Sequence, residues 1–141
     1  MPFLLDTNIV SELRKGARAQ ASLRTWFDPR EETELFISFL VVGELRRGIE
    51  RLRRRDAPSA NALDRWLKKL EMQFADRILP VTLEICELWG RFGADQKLPD
   101  IDGLLAATAL YHRLTLVTRN VKDVQRCGVS VLDPFLDSPA S

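Results

Sequence analysis

Short apolar runs alternate with stretches whose apolar positions recur every three or four residues, so the chain reads as strands interleaved with helices. Pro2-Phe3-Leu4-Leu5, closed by Asp6, predicts a buried strand over Phe3 to Asp6, then a short helix over Asn8 to Arg14 that stops near Gly16. A second helix is expected over Ala19 to Phe27, ending before Pro29, and a second strand over Glu34 to Phe39. Val41, Leu45, Ile49 and Leu52 fall on one face of a helix over Leu40 to Arg55. Leu63, Leu67, Leu70 and Phe74 do the same over Pro58 to Phe74. Ile78 to Val81 reads as a strand and Leu83 to Lys97 as a helix with Leu88, Trp89 and Phe92 facing inwards. Asp102 to Arg113 is a helix apolar nearly all round, as expected of one buried against a sheet, and Leu114 to Thr118 and Val129 to Leu132 finish as strands. This order, with short connections and no repeat or linker, predicts one α/β domain with a mainly parallel sheet.

Composition narrows the class. With 141 residues, 45% hydrophobic and 29% charged, the chain can bury a genuine core and is not of a disordered or fibrous type. No apolar run approaches the roughly 20 residues that span a bilayer, and Met1 to Arg14 lacks the basic-then-apolar order of an export signal. A cytoplasmic protein with no membrane partner is expected. Cys86 and Cys127 lack CxxC spacing and are read as two reduced thiols. Net charge is only +1, but Arg46, Arg47, Arg51, Arg53, Arg54 and Arg55 crowd one predicted helix, offset locally by Glu50 and Asp56. The cluster is either a phosphate-contacting face or a solvated helix side with ion pairs such as Glu50 with Arg46 or Arg54.

Chemistry concentrates in four acids placed where the pattern changes. Asp6 closes the first strand, Glu44 interrupts an apolar helix start, Asp102 opens the Ala/Leu-rich helix, and Asp123 follows the Leu114 to Thr118 strand. In open parallel sheets ligands bind beyond the carboxyl ends of the strands, near the point where strand order reverses, and three of the four acids fall at that edge. Glu44, one turn into the next helix, can point there too, with Arg47 and Arg51 on roughly the same face. Gly48 removes a side chain from that face, either to admit a substrate backbone or to let helices pack closely. A pocket of carboxylates suits a hard divalent cation. Each acid also has a plainer role: Asp6 and Asp102 as helix N-caps, Asp123 in a turn, Glu44 paired with Arg47. Clustering has an electrostatic consequence that separate caps lack. Carboxylates about 5 Å apart repel by roughly 3 kcal/mol per pair at an effective dielectric near 20, so at least one pKa should rise.

Leu4-Leu5-Asp6-Thr7-Asn8-Ile9-Val10-Ser11-Glu12-Leu13, Gly43-Glu44-Leu45-Arg46-Arg47-Gly48, Asp102-Gly103-Leu104-Leu105-Ala106-Ala107-Thr108-Ala109 and Thr118-Arg119-Asn120-Val121-Lys122-Asp123 follow one another in the order of the motifs of PIN-domain nucleases. The chain resembles these proteins nearly throughout, and most of all the VapC and FitB toxins of bacterial toxin–antitoxin pairs. Val124, where an aromatic residue commonly follows the last acid, and Val42-Gly43, where Ala often precedes the helix Glu, depart from the pattern and leave the acids intact.

The resemblance implies a single PIN-like, Rossmann-like three-layer domain over residues 1–135 with a short tail over 136–141. It further implies that Asp6, Glu44, Asp102 and Asp123 hold Mg²⁺ or Mn²⁺, that Thr7 or Asn8 is the polar position beside the first acid, and that Asn120 is the Asn of the last motif. The expected reaction is hydrolysis of RNA, of tRNA or rRNA class, to 5′-phosphate and 3′-hydroxyl ends, with Arg47 or Arg51 on substrate phosphate. The expected partners are an antitoxin of VapB or FitA type and a second copy of the chain. A rival reading has the protein act chiefly by binding a DNA-contacting antitoxin. A dehalogenase-like phosphotransferase with Asp6 as nucleophile fits less well, because Asn8 stands where its second acid belongs. Asp100 is an extra acid, either a water-linked member of the metal shell or a solvated loop position. His112 is expected at the surface near a helix end, and Trp26, Trp66 and Trp89 in core or dimer contacts rather than as base-stacking platforms. The Leu63, Leu67, Leu70 and Phe74 stripe either packs internally or receives an antitoxin helix.

Overall fold

The computed structural model describes residues 2–93 and 98–136. Strands β1 (Phe3–Leu5), β2 (Leu35–Ser38), β3 (Ile78–Leu79), β4 (Thr115–Val117) and β5 (Val131–Leu132) form one sheet in the order β3-β2-β1-β4-β5. Every neighbouring pair is parallel. Between them run α1 (Thr7–Leu13), α2 (Ala21–Phe27), α3 (Phe39–Arg53), α4 (Ala57–Gln73), α5 (Leu83–Gly90), α6 (Asp100–His112) and α7 (Val121–Gln125).

Strand order fixes the layers. Moving from β1 through β2 to β3 the chain steps one way across the sheet, and from β3 to β4 and β5 it steps the other. Right-handed crossovers therefore put α1 to α4 on one face and α5 to α7 on the other. The contacts agree, since α1 meets α3 and α3 meets α4, while α5 and α7 both meet α6. Covered on both faces, β1 has no exposed position, which is why it reads as a continuous apolar run.

The α3/α4 pair shows how the sequence builds one of these layers. Ser38 ends β2 and caps α3, its Oγ accepting from Leu40 N at 3.0 Å, while Asp56 caps α4 by accepting from Ser59 N at 3.1 Å. Val41, Leu45 and Ile49 of α3 and Ala60, Leu67 and Leu70 of α4 are buried. Burying each of the larger side chains is worth about 1.5–3 kcal/mol. The stripe over Leu63, Leu67, Leu70 and Phe74 thus packs internally, with Leu63 only partly covered. On the outer side, Asp64 of α4 accepts from Arg46 at 2.7 Å and Arg53 at 3.0 Å.

Four readings are corrected. The helix α5 ends at Gly90, because Gly90 and Gly93 break the pattern that Leu88, Trp89 and Phe92 carry, and Trp89 lays its indole against Gly103 of α6 while staying 37% exposed. α6 begins at Asp100 with Pro99 as its N-cap, so Asp102 is the third helical residue and caps nothing. Asp123 lies in α7, a helix of five residues with Val124 as its one buried position, too short to show a period. His112 is half-buried, edge-on to Tyr111 at 5.0 Å. Trp26, partly buried, packs edge-on against Phe3 of the core, and Cys86 and Cys127 are in no disulfide. The Lys97 end expected for the fifth helix, and the tail beyond Leu136, lie outside the described residues.

Candidate active site

Strand order reverses between β1 and β4, and Asp6 stands at that switch point. Its backbone N–H donates to Val117 O at 3.0 Å, extending the β1/β4 pairing by one step. Its carboxylate is 5% exposed and held from three sides. Oδ1 accepts from the Thr7 N–H at 2.7 Å, so the helix-cap reading of Asp6 is correct as well. Oδ2 accepts from the wholly buried Thr118 hydroxyl at 2.6 Å and from Asn8 Nδ2 at 3.2 Å. Thr118 Oγ1 in turn accepts from the Asn120 N–H at 3.1 Å, which ties the start of α7 to the same carboxylate.

Thr7 links the second acid. Its hydroxyl donates to Glu44 Oε1 at 2.5 Å, across 37 residues of sequence, and this takes the place of the expected Glu44–Arg47 pair. Asp102 comes in on the first turn of α6, where the helix dipole favours an anion. Its pKa is nonetheless raised to about 6, first by burial and then by repulsion from Asp6, Glu44 and Asp123. The rise expected of clustered acids is therefore present, and all four belong to one electrostatic site. Asp123 is its exposed member. Asp100, also exposed, lines a hollow with Trp89, Phe92 and Gly103.

The donor set consists of carboxylate oxygens, with no imidazole or thiolate, which suits a hard, oxygen-preferring divalent ion. Asn8 adds a buried Oδ1 with no hydrogen-bond partner, an acceptor facing no donor of the protein. Among the described residues, no three acidic, His or Cys side chains stand close enough together to hold a metal ion as they are placed. Like charges held in one field favour such spacing. The residues fit the ion in type and charge.

Glu44 also lines a groove of about 440 Å³ with Phe39, Leu40, Gly43, Arg47, Gly48, Arg51 and Ile101. Arg47 and Arg51 thus stand beside the acids, and among the described residues neither has an ion-pair partner. Arg46 and Arg53 are bound to Glu50 and Asp64, while Arg54 is not the partner of Glu50 that one reading expected. The arginine cluster is therefore two sets, one structural and one open. Thr118 was not singled out by sequence reasoning although it lies inside a quoted motif, because its role depends on β4 pairing beside β1.

The PIN domain family model matches residues 3–126 of this chain. The chain belongs to the PIN-domain family. Within it the protein is of the VapC/FitB-like toxin type. This PIN domain is 28% identical to the VapC ribonuclease Y4jK of Sinorhizobium fredii, over 94% of its own length and 96% of the relative's. It is 31% identical to the toxin FitB of Neisseria gonorrhoeae, over 95% and 99%. It also superposes on a chain of FitAB bound to an IR36 DNA fragment with a TM-score of 0.87 at 25% identity, covering 99% of both chains.

Proposed function

We propose that this protein is the toxin of a toxin–antitoxin pair and acts as an endoribonuclease that depends on Mg²⁺ or Mn²⁺. The observation that carries the reading is the shared field of Asp6, Glu44, Asp102 and Asp123 at the switch point of the sheet, recorded in the raised pKa of Asp102. Asp6 and Asp102 are assigned to direct metal coordination, with Glu44 and Asp123 completing the shell or positioning water. The chemistry that a divalent ion would supply if held there is that of a Lewis acid, which would make water nucleophilic near neutral pH and offset charge on the phosphodiester.

The chain's own residues do the rest. Thr118, Asn8 and the Thr7 N–H fix the rotamer of Asp6, and the Thr7 hydroxyl fixes Glu44. Arg47 and Arg51 take substrate phosphate as fork-shaped donors, and Asn120, exposed at the start of α7, offers an amide. The carboxylates alone would repel a phosphodiester, so cation and arginines together determine where the strand lies.

The relatives named FitB and VapC, and the FitAB complex on DNA, support a cognate antitoxin of the VapB or FitA type as partner. Likeness to that DNA-bound complex favours a second role beside cleavage, in which the pair acts on DNA through the antitoxin. Incubating purified protein with total cellular RNA and Mn²⁺ or Mg²⁺ tests the nuclease reading. Discrete fragments are expected that EDTA, Asp6→Asn and Asp102→Asn each abolish. Cleavage that persists in both variants would overturn it.

A further inference from the structure

The groove beside Glu44 has a composition that the four acids do not explain. At its head stands Phe39, the first residue of α3, with 54% of its surface exposed. Phe39 lines the same groove as Glu44. The floor is made of Gly43 and Gly48, where an added Cβ would meet nothing within 4 Å, so neither glycine is required for packing within the chain. In a helix interior each costs about 1 kcal/mol relative to alanine. Beyond Glu44, Arg47 and Arg51 lead into a shallow concavity of about 660 Å³ that Arg54 also lines. Among the described residues Arg47, Arg51 and Arg54 have no ion-pair partner, whereas Arg53, which lines the same concavity with Glu50, and Arg46 are held by Glu50 and Asp64.

We propose that this face of α3 is a track for an unpaired RNA strand, with one base stacked on Phe39 and successive phosphates on Arg47, Arg51 and Arg54. The inference rests on the nuclease reading and extends it to how substrate is gripped. Along the helix Phe39 lies about 7 Å to one side of Glu44, and Arg54 about 15 Å to the other. At roughly 3.4 Å per stacked nucleotide that is room for about two nucleotides on one side and four on the other. An exposed aromatic face beside open guanidiniums is the combination that binds single strands, because a paired base offers no free face to stack. An acidic protein surface would also meet the guanidiniums, but it would meet Glu44 within the groove with nothing to offset it. A phosphodiester bridged to that carboxylate by a divalent ion suits both ends.

The test is fluorescence anisotropy of a labelled, unstructured 12-nucleotide RNA on the full chain with Ca²⁺ in place of Mg²⁺ or Mn²⁺, the RNA checked to be intact after each reading and the same RNA annealed to its complement used as competitor. Phe39→Ala should weaken binding about tenfold, and Phe39→Trp should restore it. Arg51→Ala and Arg54→Ala should each lower the slope of log affinity against log salt by about 0.7. Gly48→Ala should raise the melting temperature yet weaken binding several-fold, an outcome that a purely structural glycine does not produce. Unchanged affinity in Phe39→Ala and Gly48→Ala, or a duplex that competes as well as the single strand, would overturn the track. So would conversion of a dimer to a monomer by Phe39→Ala in sedimentation, which would make this face a contact between copies. Metal-dependent cleavage by the wild type alongside unchanged binding in these variants would remove this inference and leave the nuclease reading standing.

Discussion

The Thr7 hydroxyl donates to Glu44 Oε1 at 2.5 Å while the Thr7 N–H donates to Asp6 Oδ1, so one residue sets the positions of two acids on different elements. Removing only the hydroxyl should free Glu44 without disturbing the cap of α1. Thr7→Val is expected to lose about 1.5–3 kcal/mol of stability, the range for a hydrogen bond to a charged group. Metal-dependent cleavage should fall at least tenfold, and Thr7→Ser should recover most of both. Chemical denaturation and an RNA cleavage assay with the three proteins decide it, and full activity in Thr7→Val would show that Glu44 needs no anchor.

Asp102 makes the site sensitive to pH in a stated direction. Its folded carboxyl titrates near 6 against 3.8 for an unperturbed one, so the folded protein holds this proton more tightly. The cost of ionising it is absent at low pH, grows as pH rises between about 4 and 6, and is complete above that. In EDTA, Asp102→Asn should therefore gain on the wild type in melting temperature as pH rises through this window. Mg²⁺ or Mn²⁺ should stabilise the wild type more at about pH 7 than at about pH 5, because ion and proton compete for the same oxygens. A difference between the two proteins that does not change with pH would contradict the assignment.

Gly103, next to Asp102, is the glycine for which space decides. A Cβ there would lie 2.8 Å from Trp89 Nε1 and 2.9 Å from Cδ1, so the indole of α5 rests on the backbone of α6 beside the acid. Gly103→Ala must displace that ring. A red-shifted tryptophan emission and a stability loss of about 1–3 kcal/mol are expected, the range for overpacking, and fluorescence with denaturant titration measures both.

Arg113 adopts a left-handed conformation at φ 56°, ending α6 with Leu114 N–H bonded back to Ala109 O at 2.8 Å. Glycine is the residue that takes this cap position without strain. Arg113→Gly should stabilise the protein by about 0.5–1 kcal/mol with cleavage unchanged, the cap being at the far end of α6 from Asp102. A fall in melting temperature would mean that the guanidinium contributes more than the backbone strain costs.

What could be read without coordinates was what depends on near neighbours. β1 is visible because a strand covered on both faces has only apolar positions, and α3 and α4 because their buried residues keep helical spacing over many turns. Asp6, Glu44, Asp102 and Asp123 stood out because each marks a change of pattern. Residues whose meaning comes from distant partners did not. Thr118 looks like an ordinary strand-end threonine until β4 lies beside β1 and its hydroxyl reaches Asp6. The partner of Glu44 was sought three residues away at Arg47 and lies 37 away at Thr7. Among the arginines the Glu50–Arg46 pair is legible at helical spacing, whereas Asp64 of α4, which clamps Arg46 and Arg53 as well, is not.

The Asp6–Thr118 contact also bears on when during synthesis the site can exist. The two residues are 112 apart, and β1 stays unpaired on one side until β4 arrives. At about 5–20 residues per second, a nascent chain carries Asp6 for roughly 6–20 seconds before Thr118 is added, and Asp123 follows only after that. An interrupted translation product that ends before β4 therefore has acids but no assembled site. The order of strands in the sheet thus makes the acid cluster a property of the nearly finished chain.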